Sequence, residues 1–226
     1  VATGVMDVFL HQFLNLEIMR QAWPIIFKGL QMTALLCLAV IPLGLMGGLV
    51  LATASLSGSA VLRGAVKVLI DLFRALPPLV LLILIYSGLP FAGLNLSPFA
   101  AVCLAFTLNT SSFYGEIYRA GIESIGRGQW EAARSTGLDA GRTFAHVILP
   151  QAVRNVLPDL VSNTVEVVKL TSIASVVSFT ELLYAADMAR SVTFNTSPIV
   201  LAAAIYLVLL WPVVRLMSRL EHRVAA

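Results

Sequence analysis

Residues 29–62 read GLQMTALLCLAVIPLGLMGGLVLATASLSGSAVL, a stretch with no charged side chain. A helix needs roughly 20 apolar residues to cross a bilayer core, so residues 30–54 are read as a first membrane span. Working outward, the next charge-free run is 75–115, interrupted by SGLPFAG at 87–93 and followed by Pro98. Glycine and proline punctuate helices, so this region reads as two spans, 69–87 and 98–120. A fourth span is expected at 157–179 and a fifth at 197–217. Residues 5–22 mix Phe9, Phe13, Leu14 and Leu16 with Asp7, Glu17 and Arg20, the pattern of an interfacial amphipathic helix.

Composition agrees with this reading. The 226 residues are 58% hydrophobic and 12% charged, against about 25% charged in a soluble domain, and the mean hydropathy is +0.89. The expected fold is an all-α integral membrane protein with a single domain. The N-terminal stretch, with Asp7 and Glu17 and no basic leader, is not expected to be a secretory signal. A net charge of +3 does not call for nucleic acid; a positive-inside bias of the loops accounts for it. Arg63, Lys67, Arg74, Arg119, Arg127, Arg134, Arg142, Arg154, Arg215, Arg219 and Arg223 fall on one side of the five spans. Arg20, Lys28 and Arg190 fall on the other, and Lys169 lies within a span. This asymmetry places the 121–156 loop and the C-terminus in the cytoplasm and the N-terminus outside. Cys37 and Cys103 sit in apolar runs as small hydrophobes. His11, His146 and His222 are far apart on different segments and suggest no metal site.

The loop between spans three and four carries its own pattern. Residues 131–150 read EAARSTGLDAGRTFAHVILP. A first short helix through Gln129–Thr136 stops at Gly137, which suits a position needing positive φ. Asp139 N-caps a second helix, and Pro150 is expected to end it. Arg127, Glu131 and Arg134 have the spacing of ordinary intrahelical ion pairs. On spacing alone, an exposed solvated hairpin and a docking surface are equally open readings.

This loop resembles the EAA loop of bacterial ABC-importer permeases. That pattern is Glu-Ala-Ala, three residues, Gly, nine residues, then an aliphatic residue, any residue and Leu-Pro. Here it is met by Glu131, Ala132, Ala133, Gly137, Val147, Leu149 and Pro150, with Val147 where Ile is usual. The flanks AGIESI at 120–125, GQWE at 128–131 and LPQAVR at 149–154 are similar to the branch that imports polar amino acids. So are FRALP at 73–77, IYSGL at 85–89, and KLTS at 169–172 leading to Glu181-Leu182. The resemblance covers about residues 25–223. It implies a type I importer (MetI-like) permease fold, with residues 1–24 as a periplasmic interfacial segment, 25–223 as the transmembrane core and 121–156 as a cytoplasmic coupling loop. It implies a bacterial inner-membrane protein that works as one of two permease chains, identical or homologous, with two ATPase subunits and an extracytoplasmic binding protein. The coupling residues would be Glu131, Ala132, Ala133, Gly137, Asp139, Phe144, Leu149 and Pro150. Ala132 and Ala133 keep one helix face slim enough to enter a groove on the ATPase. ATP and Mg would be bound by that partner, with no cofactor in this chain. A P-loop needs Gly-Lys-Ser/Thr, and Lys28, Lys67 and Lys169 do not follow glycine. The chain is therefore expected to be a non-catalytic membrane subunit, contacting lipid and a small amino-acid-like substrate.

Polar residues within the spans mark the candidate path. Charges at mid-bilayer cost about 2.5–3.5 kcal/mol each, yet Glu166 and Lys169 lie one helical turn apart in span four. They either neutralise one another or line a water-accessible path, with Ser162 and Asn163 extending the face and Thr171 and Ser172 following. Span three carries Thr107, Asn109, Thr110, Ser111, Ser112, Tyr114 and Glu116. Asn109, Ser112 and Glu116 fall on one helical stripe, and Glu116 has the spacing to pair with Arg119. The resemblance implies that Lys169 faces a substrate carboxylate, with Asn109, Ser112, Asn163, Glu166, Thr171 and Ser172 around it. Two positions depart from the family pattern: Leu170 stands where many relatives have an acid, and Asn163 where importers of cationic amino acids have Glu. The pocket belongs either to this chain or to a non-identical partner. An ion-coupled secondary transporter using Glu166 and Lys169 is the alternative, and would show inverted repeats. An intramembrane enzyme lacks an evident base beside Ser111, Ser112, Ser172 or Ser175. Residues 183–197, with Asp187 and Arg190, either contact a binding protein or form a solvated loop.

Overall fold

The computed structural model describes residues 4–224, with side chains through Leu216. Among the described residues the chain is helical and has no strand. Helix α1 (Val5–Phe13) is followed by α2 (Leu16–Ser55), α3 (Ala60–Ala75), α4 (Pro78–Gly88) and α5 (Pro98–Glu123). The loop elements α6 (Arg127–Ser135), α7 (Ala140–Thr143) and α8 (Leu149–Asn155) come next, then α9 (Leu157–Leu170), α10 (Leu182–Thr193) and α11 (Ser197–Val224).

Among the described residues, three stretches are long and apolar enough to cross a membrane: Val5–Ser55, Leu157–Val177 and Ser197–Leu216. The pair α3 and α4 qualifies only together, bent by 100°. Helix α5 has 26 residues, about 39 Å at 1.5 Å per residue. Its lower apolarity has a structural cause. The run Asn109, Thr110, Ser111, Ser112 and Tyr114 is buried against neighbouring helices and never meets lipid. The outward faces are apolar instead: Leu38, Met46, Val50, Leu84, Val208 and Trp211 are all exposed. Backbone and polar groups satisfied inside and apolar side chains outside is the arrangement a bilayer demands.

Two boundaries differ from the sequence reading. The expected interfacial helix at 5–22 is split at Leu14 and Asn15. Asn15 accepts from the Ile18 N–H at 3.2 Å and starts a new helix, so residues 16–22 belong to α2. There Ala22 and Ile26 pack with Leu182, Ala186 and Ala202. The expected span at 69–87 is two helices. Residues before proline are pushed from the helical to the extended region, and Leu76 (ψ 125°) and Pro77 (ψ 131°) precede Pro77 and Pro78. Span four also changes character. After Leu170 it tightens into a 3₁₀ turn, Thr171–Val177, which ends at Ser178 with φ 58°.

The helices assemble around α2 and α5. Gly44 and Gly48 lie one turn apart on α2, facing Thr110, Tyr114 and Gly115 of α5. Small residues at this spacing let membrane helices approach backbone to backbone. Tyr114 then reaches across to Thr164 of α9, with 2.7 Å between the hydroxyls. Helix α5 is thus held from both sides, and its remaining face looks onto the candidate site.

Candidate functional site

A cavity of about 440 Å³ lies between α5, α9 and the start of α4. Asn109, Asn163, Glu166, Lys169 and Ser172 line it, with Phe113 and Pro78 as apolar wall. Five of the seven proposed substrate-contacting residues are therefore brought together. Ser112 and Thr171 lie outside it. Both are fully buried, and their hydroxyls donate back to the carbonyls of Leu108 (3.0 Å) and Val168 (2.7 Å). Helical Ser and Thr often satisfy themselves in this way.

The cavity residues are not equivalent. Lys169 donates to Glu166 in an ion pair whose side chains are 52% and 65% exposed in the single chain. A charged pair this open in a span needs an aqueous path or a second chain beside it. Asn109 has its amide nitrogen committed: it donates to the Phe73 carbonyl at 3.0 Å and braces the α3–α4 bend. Asn163 also lines the cavity, but its Nδ2 is buried away from the open space, beside the Tyr114 side chain. Ser172 donates to the Lys169 carbonyl at 2.8 Å and keeps acceptor capacity.

The loop residues form a helical hairpin. Helix α6 ends at Ser135 with Thr136 as its C-cap, and Gly137 turns the chain with φ 87°. Asp139 caps α7 by accepting from the Arg142 N–H at 2.8 Å. Trp130 and Phe144 close the hairpin with ring centroids 6.4 Å apart, over buried Ala133, Thr143 and Ile148. Pro150 does not end the second helix. The helix widens into a π turn at Phe144–Ile148, where the Leu149 N–H donates to the Phe144 carbonyl five residues back. The wider turn accommodates the ring that would otherwise clash with the preceding turn, and α8 continues past Pro150 to Asn155. The intrahelical pairs expected of Glu131 do not form: among the described residues no ion pair involves it. Glu131 and Ala132 stand exposed, while Ala133 faces inward at 7% exposure.

Helix α8 joins this hairpin to the candidate path. At Gly121 of α5 an added Cβ would lie 2.9 Å from the Ala152 carbonyl oxygen and 2.8 Å from Val156. Asn155 also donates to Ser124 at 3.0 Å. The hairpin and the end of α5 are thus in direct contact through α8. Above that contact Arg119 is held between Glu116 (2.5 Å) and Glu123 (2.6 Å), the pairing with Glu116 that the spacing indicated.

One buried acid escaped the sequence reading. Glu181 is fully buried and N-caps α10, accepting from the Leu183 and Tyr184 N–H groups at 2.7 Å each. Tyr206 of α11 donates to it at 3.3 Å, and the neighbouring Leu182 N–H donates to Thr33 of α2 at 3.0 Å. This joint ties α2, α10 and α11. The signal in sequence was an acid just ahead of an apolar helical run. Among the described residues no three His, Cys, Asp or Glu side chains gather as a metal site.

Comparison with known proteins gives the family. Residues 41–226 match the model described as binding-protein-dependent transport system inner membrane component. The chain is 34% identical to the probable amino-acid ABC transporter permease protein YckA of Bacillus subtilis (strain 168), over 85% of each chain. It is 40% identical to the probable glutamine ABC transporter permease protein GlnM of the same organism, over 68% of this chain and 72% of that one. Among solved structures, an amino acid ABC transporter crystallised with histidines superposes with a TM-score of 0.82 at 36% identity, covering 91% of this chain and 96% of the other. The helical bundle, the capped hairpin after α5 and these matches together place the chain in the family of inner membrane components of binding-protein-dependent transport systems.

Proposed function

We propose that this chain is a transmembrane permease subunit of an ATP-driven importer of polar amino acids or related small zwitterions. The observation that carries the substrate class is the cavity between α5 and α9, where Lys169 and Glu166 face one space. Lys169 is a donor for a carboxylate, and Glu166 is an acceptor for an ammonium group. The names of the relatives support the same class.

The exposure of Lys169 and Glu166 in the single chain supports a path completed by a second permease chain. The 127–155 hairpin is the docking element for an ATPase, two copies per complex, and lies in the cytoplasm with the C-terminus while the N-terminus lies outside. ATPase closure displaces the hairpin, and α8 passes that movement to α5 through the Gly121 contact. An extracytoplasmic binding protein delivers substrate to the opposite side. ATP and Mg reside in the ATPase, and this chain performs no hydrolysis.

The test is purification of the complex in gentle detergent, identification of its chains by mass spectrometry, and uptake after reconstitution. An ATPase in equal number to permease chains and ATP-dependent uptake of an amino acid are expected. Uptake by the lone chain without ATP would overturn the reading. Glu131→Lys should lower ATPase recovery and uptake while membrane insertion is unchanged.

A further inference from the structure

A separate cavity of about 480 Å³ opens between α3 and the end of α5 that leads into the hairpin. Its charged lining is Arg63, Lys67 and Asp71 from α3 and Glu116, Arg119 and Glu123 from α5. Cations and anions balance, so the space suits neither a lone anion nor a lone cation. Most of these charges are engaged. Arg119 is clamped between Glu116 and Glu123, and Arg63 donates to the carbonyls of Ser57 (2.7 Å) and Gly58 (3.0 Å). Lys67 and Asp71, both exposed, are different: among the described residues neither makes a hydrogen bond or a close ion pair, and Lys67 acts on Glu116 across the cavity only through space. They lie four residues apart, neighbours on one helical face. A cation and an anion without ion-pair partners thus face the cavity side by side.

The two cavities are consecutive along α5. Asn109, Thr110 and Phe113 line the first, and Glu116, Arg119 and Glu123 line the second. Phe113 is one turn before Glu116, and the Arg74 guanidinium lies 5.4 Å from the centre of its ring. This cation–π contact joins α3 to α5 between the two spaces.

Resting on the amino-acid reading above, we propose that the second cavity is an inner binding site on the exit path. Lys67 receives the α-carboxylate and Asp71 the α-ammonium, and the Arg74–Phe113 contact is the partition between the two sites. The same chemistry, an ammonium beside an acidic oxygen, also occurs in the headgroup of phosphatidylethanolamine, so the experiment separates these sources.

The complete transporter, with ATPase and binding protein, is reconstituted in liposomes with ATP inside. Initial uptake of a panel of radiolabelled substrates, the polar L-amino acids, L-cystine and glycine betaine, is measured in parallel, with the transported compound preloaded unlabelled in the lumen at increasing concentration. Lumenal amino acid is expected to inhibit the wild type. Lys67→Gln and Asp71→Asn should raise the half-inhibitory concentration roughly fivefold, the upper end for a solvent-accessible ion pair, with an unchanged KM for external substrate. Lys67→Arg should behave as wild type. Absence of lumenal inhibition in the wild type, or equal inhibition in the variants, overturns the inner site and leaves the amino-acid reading standing. Uptake of no member of the panel refutes the amino-acid reading, and this proposal with it. If Lys67→Gln alters uptake only in liposomes containing phosphatidylethanolamine, the occupant is the lipid headgroup and the proposal fails.

Discussion

Gly48→Ala should loosen the helix pair on which the candidate path is built. A Cβ at Gly48 would sit 2.5 Å from the Tyr114 Cβ, 2.8 Å from the Gly115 nitrogen and 2.9 Å from the Tyr114 carbonyl carbon. Ordinary carbon–carbon contacts are about 3.5–4.0 Å, so α5 would have to retreat by about 1 Å. Two of the three obstructing atoms are backbone, and no rotamer change relieves them. Overpacking of this kind costs about 1–3 kcal/mol. At about 2–4 °C per kcal/mol for a chain of this length, the expected loss in Tm is about 2–12 °C. Gly44→Ala should cost less, because its nearest obstacle is the Thr110 Oγ1 at 2.5 Å, which can rotate. Gly88→Ala, with nothing within 4 Å, serves as the control and should leave Tm nearly unchanged. The assay is thermal unfolding of the purified transporter in one detergent, with uptake measured alongside. If Gly48→Ala melts together with Gly88→Ala, the close α2–α5 approach does not hold the bundle and the reasoning is refuted.

Three further outcomes follow from the geometry. Gly137→Val forces a β-branched residue into φ 87°, at a cost of about 1–2 kcal/mol or more; it should misalign the hairpin and abolish most uptake at normal membrane levels, and wild-type uptake would remove the turn from the coupling route. Lys169→Met removes one donor from the cavity and leaves Glu166 unpaired; KM for uptake should rise about tenfold, the loss of one charge-assisted bond, with ATPase recovery unchanged, and an unaltered KM would assign Lys169 a structural role. Glu181→Gln replaces one of two carboxylate acceptors by an NH₂ group facing a backbone N–H, leaving a buried donor unsatisfied for about 1–3 kcal/mol; a Tm equal to wild type would show that this carboxylate does not hold the α2–α10–α11 joint.

Much of this protein is legible in one dimension because the bilayer imposes a one-dimensional rule. A charge-free run such as 29–62 has few ways to fold in lipid other than as helix, and the hairpin after α5 is written in local chemistry. Gly137 adopts the positive φ its position called for, and Asp139 caps the next helix through its own side chain. Pro77 and Pro78 were also visible, yet the span was drawn straight through them. A proline pair shows where a helix must break but not the 100° angle, which neighbouring helices set. Pro150 misled in the opposite direction, since a π turn absorbed it.

The sequence by itself determined the helical class, the approximate spans, the hairpin and a short set of polar residues in the membrane. Those are consequences of local backbone chemistry and of transfer from water to lipid, which act on each segment separately. Only the tertiary structure decided which of the polar residues share a space. Ser112 and Asn109 share one stripe of α5 and both are buried, yet only Asn109 reaches the cavity wall. The same packing sealed Glu181 between three helices. Whether a polar group is satisfied depends on what lies across from it, and residues 149 positions apart, such as Thr33 and Leu182, meet only when the helices close.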